Sequence, residues 1–283
     1  MGGEPMAVHN DHGSLRPLLQ PRSVAVLTDG PSPLRGDAAI PVVEAIRRRV
    51  RTGRVEYLLR HPVDLAVVSV PPMEILTAVE AAVRAGAGAL AVMSGAGGAP
   101  TAALPPGLIP LLQRACRAAG VRVLGPGSGL LANLDRRAAI HAGHLLSVEA
   151  QWGPLAVVGD ASSALARLLP MLESHHLGVG HVVDVGLAAD VSVAEIAAWA
   201  ASEGRMRAVL VHSSVPCRQA LEEAVARLGA PSAPIVLMGP EEPGPSRAGA
   251  GPHSAARILP AATLEELANL ALLLVNQPMP AGR

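Results

Sequence analysis

The 283-residue chain is half hydrophobic and carries 23 basic and 23 acidic residues, enough apolar material for a sizeable core and none of the basic excess that marks a nucleic-acid surface. Lysine and phenylalanine are absent and there is one tyrosine. Without lysine the chain has neither a Walker phosphate loop nor Schiff-base chemistry, and with no phenylalanine and a single tyrosine it has no base-stacking platform.

In chain order, "SVAVL" (23–27) reads as a buried strand and "DAAIPVVEAIRRRV" (37–50) as a helix capped by Asp37. "DLAVVSV" (64–70) is a continuous, largely β-branched run bounded by prolines, which predicts a second strand. "MEILTAVEAAVRAG" predicts a helix ending at Gly86, where a left-handed residue suits a helix terminus. "ALAVM" (89–93), "LIPLLQRACRAAG" (108–120) and "VRVL" (121–124) continue the strand–helix–strand alternation. After "DRRAAIHAGHLLSVEAQWG" the alternation starts afresh. "PLAVVG", "HVVDVG", "RAVLVHS" and "APIVLM" read as strands, "SSALARLLPMLESHH", "VSVAEIAAWAASEG", "CRQALEEAVARLG" and "TLEELANLALLLVNQ" as helices. Apolar strands joined by helices predict parallel doubly wound sheets. The expected organisation is a tail over 1–14, a first α/β domain over 15–148 and a second over 149–283.

No apolar run reaches the roughly 18–20 residues of a membrane span, and the start "MGGEPMAVHNDHGSLRP" lacks the basic-then-apolar pattern of a secretory signal. Met6 stands where a myristoylation motif needs Ser or Thr. The expectation is a cytoplasmic protein with no membrane partner. Cys116 and Cys217 are far apart in sequence, which predicts two free, buried thiols.

Ligands of open α/β sheets bind beyond the carboxyl ends of the strands. That rule selects "TDGPSPLRG", "PPM", "SGAGGAP" and "GPGSG" in the first half. Three contain glycines that let backbone amides approach a phosphate, and none is a G-x-G-x-x-G fingerprint. His175, His176, His181 and Asp184 invite a metal reading, but they straddle a helix end and a strand, so no metal is expected. His141 and His144 fall in the irregular stretch between the halves.

The order of segments resembles the NDP-forming acyl-CoA synthetases and the succinyl-CoA ligase α subunits. "LRPLLQPRSVAVL" is similar to their opening, "PVDLAVVSVPP" to their second strand, and "AGVRVLGPGSGLLANL" to the Gly-Pro-Asn segment closing their CoA domain. "GHVVDVGLAADVSVAEIAAWAASEGRMRAVLVH" and "TLEELANLALLLVNQPMPAGR" are similar to their second domain. The resemblance spans about 15–283 and implies a Rossmann-like CoA-binding domain followed by a flavodoxin-like ligase domain. It implies coenzyme A as ligand or substrate at Gly30, Pro31, Ser32, Pro71, Pro72, Ser94, Gly95, Gly97, Gly125, Pro126 and Gly127, and phosphate at Ser162 and Ser163. By position in "GPSRAGAGPHSA", His253 matches the family's phosphorylated histidine.

The sequence also departs from the family. Asp29 puts a carboxylate where a CoA phosphate would lie, "RTGRVEYLLRHP" shortens a strand and loop, and "GDASSA" (159–164) replaces a Ser-Gln-Ser-Gly phosphate turn, placing Asp160 there. Ser213 and Ser214 stand where an orienting glutamate is expected, and Pro252 removes an amide donor beside His253. The expectation is a CoA- or acyl-CoA-binding protein whose ligase activity is impaired or depends on a partner, an ATP-grasp β subunit supplying the nucleotide half. Two alternatives stand beside it. One is a competent α subunit using His253 with such a partner; the other is a non-enzymatic scaffold that has lost CoA. Oligomeric assembly is left open.

Overall fold

The computed structural model describes residues 11–28, 55–56, 62–93, 104–134, 140–143, 151–229, 231–241 and 258–277. The chain opens with helix α1 (Asp11–Leu19). Strands β1 (Val24–Thr28), β2 (Val55–Glu56), β3 (Val63–Ser69), β4 (Ala87–Val92) and β5 (Arg122–Leu124) form the first sheet, in the order β2-β1-β3-β4-β5. Every pairing in it is parallel. Parallel strands are covered on both faces, which is why β3 and β4 are almost uninterruptedly apolar.

Helices α2 (Ile75–Arg84) and α3 (Leu108–Ala119) connect these strands. Each buries residues three or four apart, Ile75, Val79 and Ala82 on α2 and Leu108, Leu112 and Cys116 on α3, the stripe that a 3.6-residue period presents to a sheet. The Cys116 thiol is pushed up to about 11 by burial and by the charge of Asp190, so it packs as an inert apolar group. Cys217 is half-buried, less covered than the sequence predicts.

The second sheet has seven strands, taking in β6 (Leu130–Asn133), β7 (Ile140–Gly143), β8 (Leu155–Gly159), β9 (Val179–Asp184), β10 (Ala208–His212), β11 (Ile235–Met238) and β12 (Ile258–Pro260). Their order is β12-β11-β10-β8-β9-β6-β7. The strands β8 to β12 are mutually parallel, and β6 and β7 add an antiparallel edge. Helices α4 (Ser162–Ser174), α5 (Val193–Ser202), α6 (Arg218–Leu228) and α7 (Leu264–Asn276) complete this half. α5 is buried on nearly every side and starts in a reciprocal cap, with Ser192 accepting from the Glu195 amide and Glu195 from the Ser192 amide.

The α/β class holds, with one departure from all-parallel strands. β7 lies in the stretch read as irregular and β6 in the segment read as closing the first domain, yet both belong to the second sheet, which therefore begins at Leu130, ahead of residue 149 where the sequence places the second domain. Residues 11–14, assigned to a tail, begin α1. Both segments are short and gain their stability from tertiary packing, which local pattern does not encode.

The two halves share one core, in which Leu15, Leu18 and Leu19 of α1 join Val24, Leu65 and Leu124 of the first sheet to Val183 and Trp199 of the second half. Polar ties cross the same seam. Arg122 Nε donates to Asp190 Oδ2 at 2.8 Å and its terminal nitrogen to Glu195 Oε1 at 2.9 Å. The Val123 amide donates to Asp190 at 2.9 Å, Asn133 to the Leu19 carbonyl at 2.8 Å, and Gln20 to Glu203 at 2.9 Å.

Candidate functional site

The loop leaving β5, Gly125–Gly129, is where the first sheet's carboxyl end meets the second domain. Gly125 has φ +92, and a Cβ on it would sit 2.3 Å from the Val92 carbonyl oxygen, so only glycine fits. Gly186, just past β9, has φ +58, and its Cβ would come within 2.4 Å of the Pro126 oxygen. The amides of Leu187 and Ala189 donate to Pro126 and Gly125 at 2.9 and 3.0 Å. Gly127 differs from both: φ is +78, but nothing lies within 4 Å of a Cβ built there. Its open side is a place where a ligand can approach backbone. Next to it Ser128 is buried and its hydroxyl has no hydrogen-bond partner.

Asp184, the last residue of β9, is fully buried beneath this loop. Its carboxylate accepts from the Gly129 amide at 2.8 Å, the Gly186 amide at 3.1 Å and the Ser162 hydroxyl. Burial raises its pKa, the three donors pull it down, the nearby charge of Asp160 raises it again, and the net displacement is upward.

Asp160 follows β8. It accepts from the Ser214 amide and hydroxyl, both at 2.9 Å, and from the Ser213 hydroxyl at 3.2 Å, while His212 Nδ1 stands 3.7 Å away. Burial by itself would raise this carboxyl, but His212 and the serine donors outweigh it and hold it below the ordinary value. The sequence places Asp160 in the phosphate turn with no partner near it in the chain. Its donors come from the next strand end, which is a neighbour only in the fold.

Of the sequence-predicted residues, Gly125, Pro126 and Gly127 lie together in this loop, and Pro71 and Pro72 follow β3 in a single turn leading to α2. Ser162 and Ser163 open α4, with the Ser162 hydroxyl committed to Asp184 and Ser163 exposed. Asp29, Gly30, Pro31, Ser32, Ser94, Gly95, Gly97, Pro252 and His253 lie outside the described residues. Among the described residues no group of three or more His, Cys, Asp or Glu could hold a metal, and His181 turns to Glu203, 3.5 Å away. Asp184 is the site residue that sequence reasoning mis-weighed. The available signal was a lone carboxylate in the apolar run "HVVDVG", two residues before a glycine.

An α/β protein with two sheets whose carboxyl edges meet at Gly125–Gly129 and Asp184 belongs to a recognisable class. Residues 152–275 match the succinyl-CoA ligase like flavodoxin domain.

Among solved structures, the dinucleotide forming acetyl-coenzyme A synthetase 1 of Ca. Korarchaeum cryptofilum, in complex with phosphate and ADP, superposes with a TM-score of 0.74 at 19% identity, covering 96% of this chain and 64% of that one. An ATP citrate lyase from Methanothrix soehngenii, in complex with citrate and coenzyme A, gives a TM-score of 0.62 at 10% identity, covering 94% and 53%. The chain thus spans less than two thirds of the length of these relatives. No curated protein matches its sequence. The resemblance to the NDP-forming acyl-CoA synthetases and succinyl-CoA ligases drawn from the sequence holds, and the fold is CoA-ligase-like. No helix among the described residues is long and apolar enough to cross a membrane.

Proposed function

We propose that the protein binds CoA or acyl-CoA across the first domain's strand ends and that the family's phosphoryl relay is impaired or dependent on a partner chain. The observation that carries this reading is the pair of carboxylates at the second domain's strand ends. Asp184 takes up the Ser162 hydroxyl and Asp160 that of Ser214, while the Ser213 hydroxyl is shared between Asp160 and the Val215 carbonyl. Of the two hydroxyls expected at the phosphate, that of Ser162 is engaged by an anion, and an ionised Asp160 in the same turn repels a phosphate dianion.

The first domain fits CoA better. Gly127 leaves its backbone open, and Ser128 offers an unpartnered buried hydroxyl beside it. Gly125, Pro126, Gly127, Pro71 and Pro72 would hold the ligand, together with Gly30, Pro31, Ser32, Ser94, Gly95 and Gly97. The chemistry that CoA supplies is its thiol. The scaffold alternative requires that CoA does not bind. In the competent-subunit alternative His253 accepts phosphate with an ATP-grasp partner.

Titration calorimetry with CoA separates these readings. Gly127→Val is expected to weaken CoA binding at least tenfold, because its side chain fills the open approach. Its own strain is about 1–2 kcal/mol from the left-handed backbone, so the fold should persist. Equal affinity in the variant would place the ligand elsewhere. For the phosphoryl half, incubation with ATP and an ATP-grasp partner should give little acid-labile, base-stable label. Strong label on the wild type and none on His253→Ala would establish the competent subunit instead.

A further inference from the structure

One titratable pair on the second domain's carboxyl edge has no task in CoA binding. His212 ends β10 and is paired in register with Gly159, the last residue of β8, so Asp160 emerges beside it. Their side chains are 16% and 10% exposed, with Nδ1 3.7 Å from Oδ1. Ser213 and Ser214 hold the Asp160 carboxylate in place. His212 Nδ1 is buried and makes no hydrogen bond, and the Asp160 carboxylate 3.7 Å away favours the tautomer with the proton on Nδ1. That tautomer leaves the lone pair on Nε2. No hydrogen bond to Nε2 is seen among the described residues. A 3.7 Å separation is longer than a hydrogen bond, and such catalytic pairs tighten when substrate binds.

We propose that His212, positioned by Asp160, is a general base that hydrolyses the thioester of a bound acyl-CoA; this rests on the CoA reading above. A chain of contacts links the two sites. The Gly125–Gly129 loop meets Asp184 through the Gly129 amide, Asp184 takes the hydroxyl of Ser162, and Ser162 lies two residues beyond Asp160. In the reaction His212 Nε2 takes a proton from water as the water oxygen adds to the thioester carbonyl. Collapse of the adduct breaks the C–S bond, and the imidazolium returns the proton to the departing thiolate. The products are a carboxylic acid and a thiol; nothing is oxidised or reduced, and water is the one co-reactant.

Asp160 stays ionised throughout and stabilises the imidazolium. The amides of Ser162 and Ser163 open α4 with no partner among the described residues and supply positive potential for the transient oxyanion. Charge selects this substrate over a phosphoryl donor. A neutral carbonyl can approach two carboxylates, whereas a phosphate dianion is repelled by Asp160.

The test uses the full chain, with acetyl-CoA followed by thiol release, p-nitrophenyl acetate as an ester that needs no CoA site, and CoA calorimetry in parallel. The wild type should hydrolyse both above the buffer rate, with a pH profile showing one essential base. His212→Gln should lower both rates about 100-fold or more while keeping the CoA affinity and the urea midpoint. Asp160→Asn, which preserves an acceptor oxygen, should lower kcat and displace the pH profile, a displacement that a purely structural residue would not cause. CoA binding with acetyl-CoA cleaved only at the buffer rate, or equal rates in His212→Gln, overturns the proposal and leaves the CoA reading intact. His212-dependent cleavage of p-nitrophenyl acetate without CoA binding overturns the CoA reading and the thioester substrate with it, and keeps the base.

Discussion

Asp184→Ala should destabilise the protein by about 3 kcal/mol, the larger of the two stability effects expected. Asp184 gathers the Gly129 amide, the Gly186 amide and the Ser162 hydroxyl at a fully buried position. Each buried donor left unpaired costs roughly 1–3 kcal/mol. Two of the three are backbone amides that cannot rotate toward water, whereas the hydroxyl can. Relief of the buried charge offsets part of the loss, because burial already pushes this carboxyl upward. Asp184→Asn keeps an acceptor and should lose about 1 kcal/mol or less. Urea unfolding of both variants is the measurement. A loss below 1 kcal/mol in Asp184→Ala would mean that the loop after β5 does not depend on this carboxylate.

Arg122→Met should cost about 2–3 kcal/mol and should change the response to acid. Arg122 bridges Asp190 and Glu195, all three largely buried at the seam between the sheets, and removing one partner of a buried pair leaves the others uncompensated. The cost stays below the usual 3–5 kcal/mol for such a loss. Asp190 keeps the Val123 amide and Glu195 keeps the Ser192 cap. Burial would raise the Glu195 carboxyl, but Arg122 and the Ser192 donors hold it below the ordinary 4.5. A carboxyl depressed by folding adds stability that is present above its unfolded pKa and is lost as pH falls through the folded one. Wild-type stability should therefore decline on acidification below about pH 4.5, and Arg122→Met should show less of that decline. An unchanged acid profile would show that Arg122 contributes little to the depression.

Much of the fold is legible in the residues. "DLAVVSV" and "PLAVVG" lie on β3 and β8, and the helices 73–86, 108–120 and 162–176 coincide with observed ones to within a few residues. Long, strongly periodic segments carry their own signal, because burial on two faces demands continuous apolar residues and burial on one face demands a 3.6-residue stripe. The strand-end rule likewise selects the loop after β5, where Gly127 leaves its backbone open while Gly125 is closed off by the Val92 carbonyl.

The site's polar chemistry was not legible in the same way. Asp160 pairs with Ser213, Ser214 and His212 across some fifty residues, and Asp184 pairs with Gly129 across a comparable span. Nothing in either local segment specifies those partners. The β6–β7 hairpin belongs to the second sheet because β9 offers it an edge, and its own short segments give no such instruction. Composition and periodicity by themselves determined the α/β class and the succession of elements, since local burial requirements are written along the chain. Only the tertiary structure decided which carboxylates are paired, which donors remain free and how His212 faces Asp160. Those properties depend on distances between strand ends that the parallel crossovers alone bring together.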